Sequence, residues 1–121
     1  MLANQLAAKS KIDDIYFLRG ELGSGKTTFA RFFIREVARL NKKKIKEPIM
    51  SPTYNLINNY NCGNNINICH VDLYRINTIK EIEKIGFFEE IENKIVLIEW
   101  PEKIEKILKK RIDILFIKKK K

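Results

Sequence analysis

Leu18-Arg19-Gly20-Glu21-Leu22-Gly23-Ser24-Gly25-Lys26-Thr27-Thr28 decides how the rest of the chain is read. Gly20, Gly25, Lys26 and Thr27 hold the fixed places of a pattern with two glycines five apart, then Lys, then Ser or Thr. Before it, Ile15-Tyr16-Phe17-Leu18 has the character of a short buried strand, and an amphipathic helix begins directly after it. The spacing has a mechanical cause. A loop that wraps a row of phosphates must turn several backbone N–H groups inward, which calls for residues without bulk and with free dihedrals: Gly20, Gly23 and Gly25. The next helix adds its unpaired first-turn N–H groups and the positive end of its dipole. Lys26 then reaches the outer phosphates, the Thr27 hydroxyl is placed to ligate a bridging magnesium ion, and Thr28 meets the inner phosphate. The cofactor-binding set is therefore Gly20, Glu21, Leu22, Gly23, Ser24, Gly25, Lys26, Thr27 and Thr28, and the expected ligand is a nucleotide with Mg2+.

The 121 residues, 45% of them hydrophobic, predict one domain over 1–117 with a lysine tail at 118–121. No run approaches the roughly 18 to 20 apolar residues of a membrane span, and residues 1–10 are too short and polar for an export signal, so a cytoplasmic protein is expected, with no membrane partner. Cys62 and Cys69 are the only cysteines and lack a Cys-x-x-Cys spacing, which argues against zinc and for reduced thiols. The net charge of +9 has two readings. It is either the footprint of an anionic partner or the compositional bias of an AT-rich genome, since 20 Ile, 18 Lys and 11 Asn fill 49 of the 121 positions.

Around the loop, Leu2, Leu6 and Ala7 predict a helix over 2–11, and Asp13-Asp14 a turn into a strand at 15–19. The helix at 26–40 carries Phe29, Phe33, Val37 and Leu40 on its apolar stripe and Arg31, Arg35 and Arg39 on another face, either solvated or turned to a partner. Pro48 and Pro52 forbid regular structure, so Ser51-Pro52-Thr53 is a shaped loop, either plain or a switch whose Thr53 senses the terminal phosphate and metal. Residues 54–60 and 67–73 flank an Asn-Cys-Gly-Asn-Asn turn and form a hairpin, which makes the sheet mixed. Alternation sets His70, Asp72 and Tyr74 on one side. Asp72 is either a magnesium-shell or water-orienting carboxylate or a partner for Arg75. Thr78 with Glu81 reads as a helix cap and Gly86 as the stop, Ile79, Ile82 and Ile85 as the buried seam, and Phe87, Phe88 and Ile91 as cover for the core.

Ile95-Val96-Leu97-Ile98 reads as a strand buried on both faces and ends in Glu99. In phosphate-loop proteins such a strand typically ends in an acid that holds magnesium, directly or through water, which pairs Glu99 with Thr27 as the metal positions. Pro101 is expected to open a helix with Ile104, Ile107 and Leu108 inward and Lys106, Lys109 and Lys110 near its negative end. Residues 111–117 are expected as a last strand.

Four stretches carry a resemblance: Gly-Glu-Leu-Gly-Ser-Gly-Lys-Thr-Thr-Phe-Ala-Arg (20–31), Ser-Pro-Thr-Tyr-Asn-Leu (51–56), His-Val-Asp-Leu-Tyr-Arg (70–75) and Leu-Ile-Glu-Trp-Pro-Glu (97–102). In order and spacing they resemble the TsaE family, formerly YjeE, bacterial ATPases of the pathway that makes threonylcarbamoyladenosine in tRNA. The resemblance implies an α/β phosphate-loop (P-loop) NTPase fold with a small mixed sheet, a parallel core plus an antiparallel hairpin, flanked by helices. It also implies ATP with Mg2+, slow hydrolysis, and work in complex with the TsaD and TsaB proteins, with tRNA reached through that complex. ATP turnover in such a protein supports repeated cycles of threonylcarbamoyl transfer and does not perform the transfer. Carried over residue by residue, Lys26 matches the phosphate-binding Lys, Thr27 and Glu99 the magnesium positions, and Asp72 an acidic active-site position. Thr53 resembles the switch-loop Thr, Trp100 is similar to the neighbouring aromatic, and Arg31 gains weight over its two helical companions. The chain departs from the pattern at Phe32, where the family often has Gly, and at both ends, where members usually run longer; a reduced genome or a late start codon would account for the N-terminal difference.

The resulting expectation is ATP hydrolysis with Lys26, Asp72, Glu99 and Thr53 as the catalytic set. Two other readings stand beside it. A small-molecule kinase would need an acceptor pocket and an arginine-bearing lid, for which Arg75 and Arg111 are available; a non-catalytic, nucleotide-dependent module would use the basic faces on RNA.

Overall fold

The computed structural model describes residues 2–118; of the lysine tail, 119–121 lie outside the described residues. Helix α1 (Leu2–Lys9) leads through a turn at Asp13 into β1 (Ile15–Arg19), and the glycine loop joins β1 to α2 (Lys26–Leu40). Then come the hairpin β2 (Ile57–Asn61) and β3 (Asn67–Asp72), two short helices α3 (Ile79–Lys84) and α4 (Phe87–Glu90), β4 (Ile95–Glu99), a 3-10 turn at Pro101–Lys103, and β5 (Ile112–Leu115). The five strands form one sheet in the order β2-β3-β4-β1-β5. β2 and β3 are antiparallel, and the remaining pairs, β3 with β4, β4 with β1 and β1 with β5, are parallel. This is an α/β fold with the expected mixed sheet.

Because side chains alternate along a strand, the central strands must be apolar on both sides, and they are. Tyr16, Leu18, Ile68, Ile95 and Leu97 pack with Phe33, Ile34 and Val37 of α2 and with Ala3 and Ala7 of α1, whose small side chains allow α1 to lie close on α2. Phe17, Cys69, Val71, Val96 and Ile98 pack on the opposite face with Ile82 of α3, Phe87 of α4 and Ile104. β4 is buried throughout, each of its apolar side chains contributing about 1.5–3 kcal/mol by leaving water. The alternation also sets the site. Ile68 faces α2, so His70 and Asp72 face α2 as well, and Glu99 follows Leu97 onto that side. All three are thereby directed toward the N-terminal end of α2.

Several expectations shift in detail. β2 begins at Ile57, not Tyr54, because the chain turns at Pro52–Leu56: Leu56 N–H donates to Pro52 O, Leu56 has φ 68°, and Tyr54 is 84% exposed. Leu40 falls off the buried stripe at the end of α2 and is 45% exposed. Thr78 caps α3 by accepting from Glu81 N–H at 3.2 Å, while the Glu81 carboxylate accepts from Asn77 N–H, one residue short of a full capping box. No α-helix follows Pro101 among the described residues. The segment forms a 3-10 turn and further turns, which the Arg111 guanidinium ties down by donating to the carbonyls of Glu105 and Leu108 at 3.1 and 3.2 Å, and Ile107 is left 49% exposed. The last strand is shorter than 111–117 and buries only Ile114. It is held at the sheet edge by Arg19, which reaches Glu105 at 2.7 Å and Asp113 at 2.9 Å.

Candidate functional site

The loop between β1 and α2 takes the backbone its glycines permit. Gly23 and Gly25 have φ of 75° and 107°, in the left-handed region, and Gly25 stands at the N-cap of α2. Gly20 is confined by sterics as well as dihedral. A Cβ there would lie 2.7 Å from both Phe116 O and Ser24 Oγ. The first-turn N–H groups of α2 have no acceptor within the helix, and they border a cavity of about 250 Å³ lined by Leu22, Gly23, Gly25, Lys26, Thr27 and Thr28 on one side and Ser51, Thr53, Asp72, Glu99 and Trp100 on the other. Gly20, Glu21 and Ser24 are not in its wall. Gly20 is crowded by Phe116 and Ser24, Glu21 is exposed, and Ser24 borders the neighbouring cleft on the side of Phe29 and Phe116.

Four charged or strongly polar side chains are buried among the described residues, and all four belong here: Lys26, His70, Asp72 and Glu99. The Thr27 hydroxyl sits 3.2 Å from each Glu99 oxygen. His70 Nε2 lies 2.7 Å from Glu99 Oε2. Asp72 is beside Glu99 in register across β3 and β4; its Oδ2 accepts from the Thr53 hydroxyl at 3.1 Å and its Oδ1 from Tyr74 N–H at 2.9 Å. Ser51 and Thr53 share a hydrogen bond of 2.7 Å, so the shaped loop is tied to β3 through two hydroxyls. Asp72 is thus not a partner of Arg75, whose guanidinium lies over the Tyr54 ring at 5.4 Å.

Lys26 Nζ donates to Gly20 O and rests 3.5 Å from the centroid of the Trp100 ring. Burial pushes its ammonium below the ordinary lysine value, against the opposing pull of Glu99, Asp72 and Glu102. Trp100 reaches this position because its backbone is left-handed, φ 57°, a conformation that costs a bulky residue about 1–3 kcal/mol, and its ring also packs on Tyr74 at 4.9 Å. Past Gly25 and Thr28 the cavity adjoins a second, apolar cleft of about 360 Å³ whose walls are Leu2, Ala3, Phe29, Phe32 and Phe116, with Ser24 at its edge.

Residues 1–121 match the family model described as Threonylcarbamoyl adenosine biosynthesis protein TsaE. The chain belongs to the TsaE family. Among proteins named tRNA threonylcarbamoyladenosine biosynthesis protein TsaE, it is similar to that of Rickettsia felis, 41% identical over 107 residues that cover 88% of this chain and 59% of that protein. The Aquifex aeolicus protein is 34% identical over 102 residues, 84% and 68% of the two chains, and the Haemophilus influenzae protein 38% over 93 residues, 76% and 54%. The chain spans less than two thirds of the length of the Rickettsia felis and Haemophilus influenzae relatives. Within this TsaE-family fold, the sequence-derived candidates Lys26, Thr27, Thr53, Asp72 and Glu99 converge on one cavity. Arg31 does not; it donates to Ile49 O at 3.3 Å, as Arg35 does to Ile45 O at 3.1 Å, and Arg39 pairs with Glu36. Two contacts escaped the sequence reading. Alternation set His70 on the side of Asp72 without giving it a role, and Phe116 stood only as part of the expected last strand; the contact of each depends on an order of strands that the sequence does not state.

Proposed function

We propose that this TsaE-family chain binds Mg-ATP and hydrolyses it in support of threonylcarbamoyl transfer to adenosine 37 of tRNA, working with TsaD and TsaB. The observation that carries the reading is the Thr27 hydroxyl set 3.2 Å from both oxygens of Glu99 at the mouth of a glycine loop. A hydroxyl and a carboxylate side by side, with a second carboxylate in the adjacent strand, form the hard-oxygen donor set that suits magnesium. Thr27 and Glu99 would hold the ion, which when bound supplies positive charge to the outer phosphates.

The chain's own groups do the rest. Gly23, Gly25 and the start of α2 offer N–H groups to the phosphates. Lys26 exchanges the Gly20 carbonyl and the Trp100 face for phosphate oxygens, a stronger, charge-assisted contact. Asp72, fixed by Thr53 and Tyr74 N–H, is positioned to accept a hydrogen bond from the attacking water, and the Ser51–Thr53 loop transmits the state of the outer phosphate. The apolar cleft beside Thr28 gives the nucleoside a dry surface. Arg111, one of two arginines a kinase lid would use, is taken up by Glu105 O, Leu108 O and Asp113, which leaves that reading with Arg75 alone.

The test is ATP hydrolysis measured with and without TsaD and TsaB, alongside the threonylcarbamoyladenosine content of tRNA in a depleted strain. Lys26→Ala and Glu99→Ala are each expected to abolish turnover and leave the fold intact; a folded, active double variant refutes the assignment.

A further inference from the structure

His70 is the chain's one histidine, and it is fully buried in the sheet face beneath the cup. Its register partner on β4 is Leu97, and it reaches past that partner, diagonally, to Glu99 two residues on. Core packing does not account for it. Nδ1 has no hydrogen-bond partner among the described residues, and leaving a buried polar atom unpaired is unfavourable, whereas an apolar side chain of similar volume would avoid the penalty. What the imidazole gains is one contact, Nε2 to Glu99 Oε2 at 2.7 Å. A carboxylate only accepts, so Nε2 carries the proton of that hydrogen bond.

The two oxygens of Glu99 are consequently unequal. Oε2 receives His70 at 2.7 Å and the Thr27 hydroxyl at 3.2 Å; Oε1 receives only the Thr27 hydroxyl, also at 3.2 Å. We infer that His70 is a positioning residue: it fastens Glu99 through Oε2 and keeps Oε1 as the oxygen that serves magnesium. The inference rests on the Mg-ATP reading of the site. It follows the general behaviour of metal-ligating carboxylates, which are themselves oriented by hydrogen-bond donors behind them. Without such a donor the carboxylate is free to rotate away from the metal, so loss of His70 acts on the metal and not on the phosphates.

The experiment is calorimetric titration of ATP into the full chain over a series of Mg2+ concentrations and, separately, in EDTA, for the parent, His70→Leu, His70→Asn and His70→Gln. His70→Leu is expected to raise the Mg2+ concentration that half-saturates the metal-dependent gain in affinity by about 10- to 100-fold, with the metal-free affinity for ATP unchanged. The longer amide of Gln can donate to Oε2 and is expected to restore most of that loss; the shorter amide of Asn is not. If His70→Leu fails to fold, the Gln and Asn variants decide between themselves. A parental Mg2+ midpoint in His70→Leu, Gln no better than Asn, or an equal fall in metal-free affinity, which is the mark of a structural defect, overturns the assignment. A parent that binds no ATP at all fails the proposed function instead, so the two failures are told apart.

Discussion

Glu99→Gln separates the charge of the site from its shape. Glutamine keeps the length and planarity of the side chain, so its carbonyl still accepts from the Thr27 hydroxyl now 3.2 Å away, and its amide N–H meets His70 Nε2, which can accept in its other tautomer. What changes is charge. Hydrogen bonds to an ionised group contribute about 1 kcal/mol more than neutral ones, so the contacts from Thr27 and His70 together lose about 2 kcal/mol. Against this, a carboxylate only 3% exposed no longer has to be kept out of water, a penalty of several kcal/mol per ion, and its repulsion with Asp72, the register neighbour on β3, disappears, but the buried Lys26 ammonium loses the attraction of Glu99, the strongest of the three carboxylates that pull on its proton. Gains and losses are of similar size, so the variant should fold about as stably as the parent. With about 3–5 °C of Tm for each kcal/mol in a domain of this size, thermal unfolding followed by circular dichroism in metal-free buffer should give a Tm within about 5 °C of the parent's. Phosphate release from ATP should fall by at least about 100-fold, and added Mg2+ with ATP should raise the Tm of the parent far more than that of the variant. A variant that hydrolyses ATP at a parental rate, or one that melts far below the parent without metal, refutes the view that the charge of this carboxylate is held for function and not for stability.

Other expectations follow from single contacts. Gly20→Ala forces a methyl group against Phe116 O, with both Phe116 O and Ser24 Oγ 2.7 Å from the new carbon; it should destabilise the fold by more than about 2 kcal/mol and speed amide exchange in β5, and unchanged exchange there would count against the contact. Lys26 is neutralised more easily in the free protein because burial lowers its pKa below 10.5, while bound phosphates hold its proton. Sign follows from that: in the alkaline range, from the lowered pKa up to that of the complex, nucleotide binding takes up a proton and affinity falls as pH rises, which calorimetry in buffers of different ionisation enthalpy measures; proton release would refute it. Burial pushes the Cys62 and Cys69 thiols up to about 11 and about 12, so at pH 8 neither should react with a thiol reagent until the chain unfolds, and stoichiometric labelling of the native protein would contradict their placement in the core.

The phosphate loop, its strand and its helix are legible in the sequence because the signals are local: glycines where the backbone must turn left-handed, an apolar run before, a period of 3.6 after. The same holds for β4, whose four apolar residues are buried on both faces, and for the hairpin, whose turn sequence fixes its register. Thr27, Glu99 and Asp72 could be named as candidates since each stands at the end of a strand or the start of a helix. Legibility stops where a residue depends on a distant one. Pro101 announces a helix, yet the chain there forms a 3-10 turn and further turns tied down by Arg111, ten positions on. Leu40 keeps the helical period but, as the last residue of α2, is left exposed. His70 acquires its role only when β3 lies beside β4, and Phe116 touches Gly20 only when β5 runs parallel to β1; neither adjacency is written in any local pattern.

The indole beneath the Lys26 ammonium has a practical consequence. Trp100 is the chain's sole tryptophan, and a cation sits 3.5 Å from its ring centre. On the Mg-ATP reading proposed above, intrinsic emission is a dye-free reporter of a single event, the departure of that cation from the indole, and stopped-flow mixing with nucleotide would time how fast the cup fills.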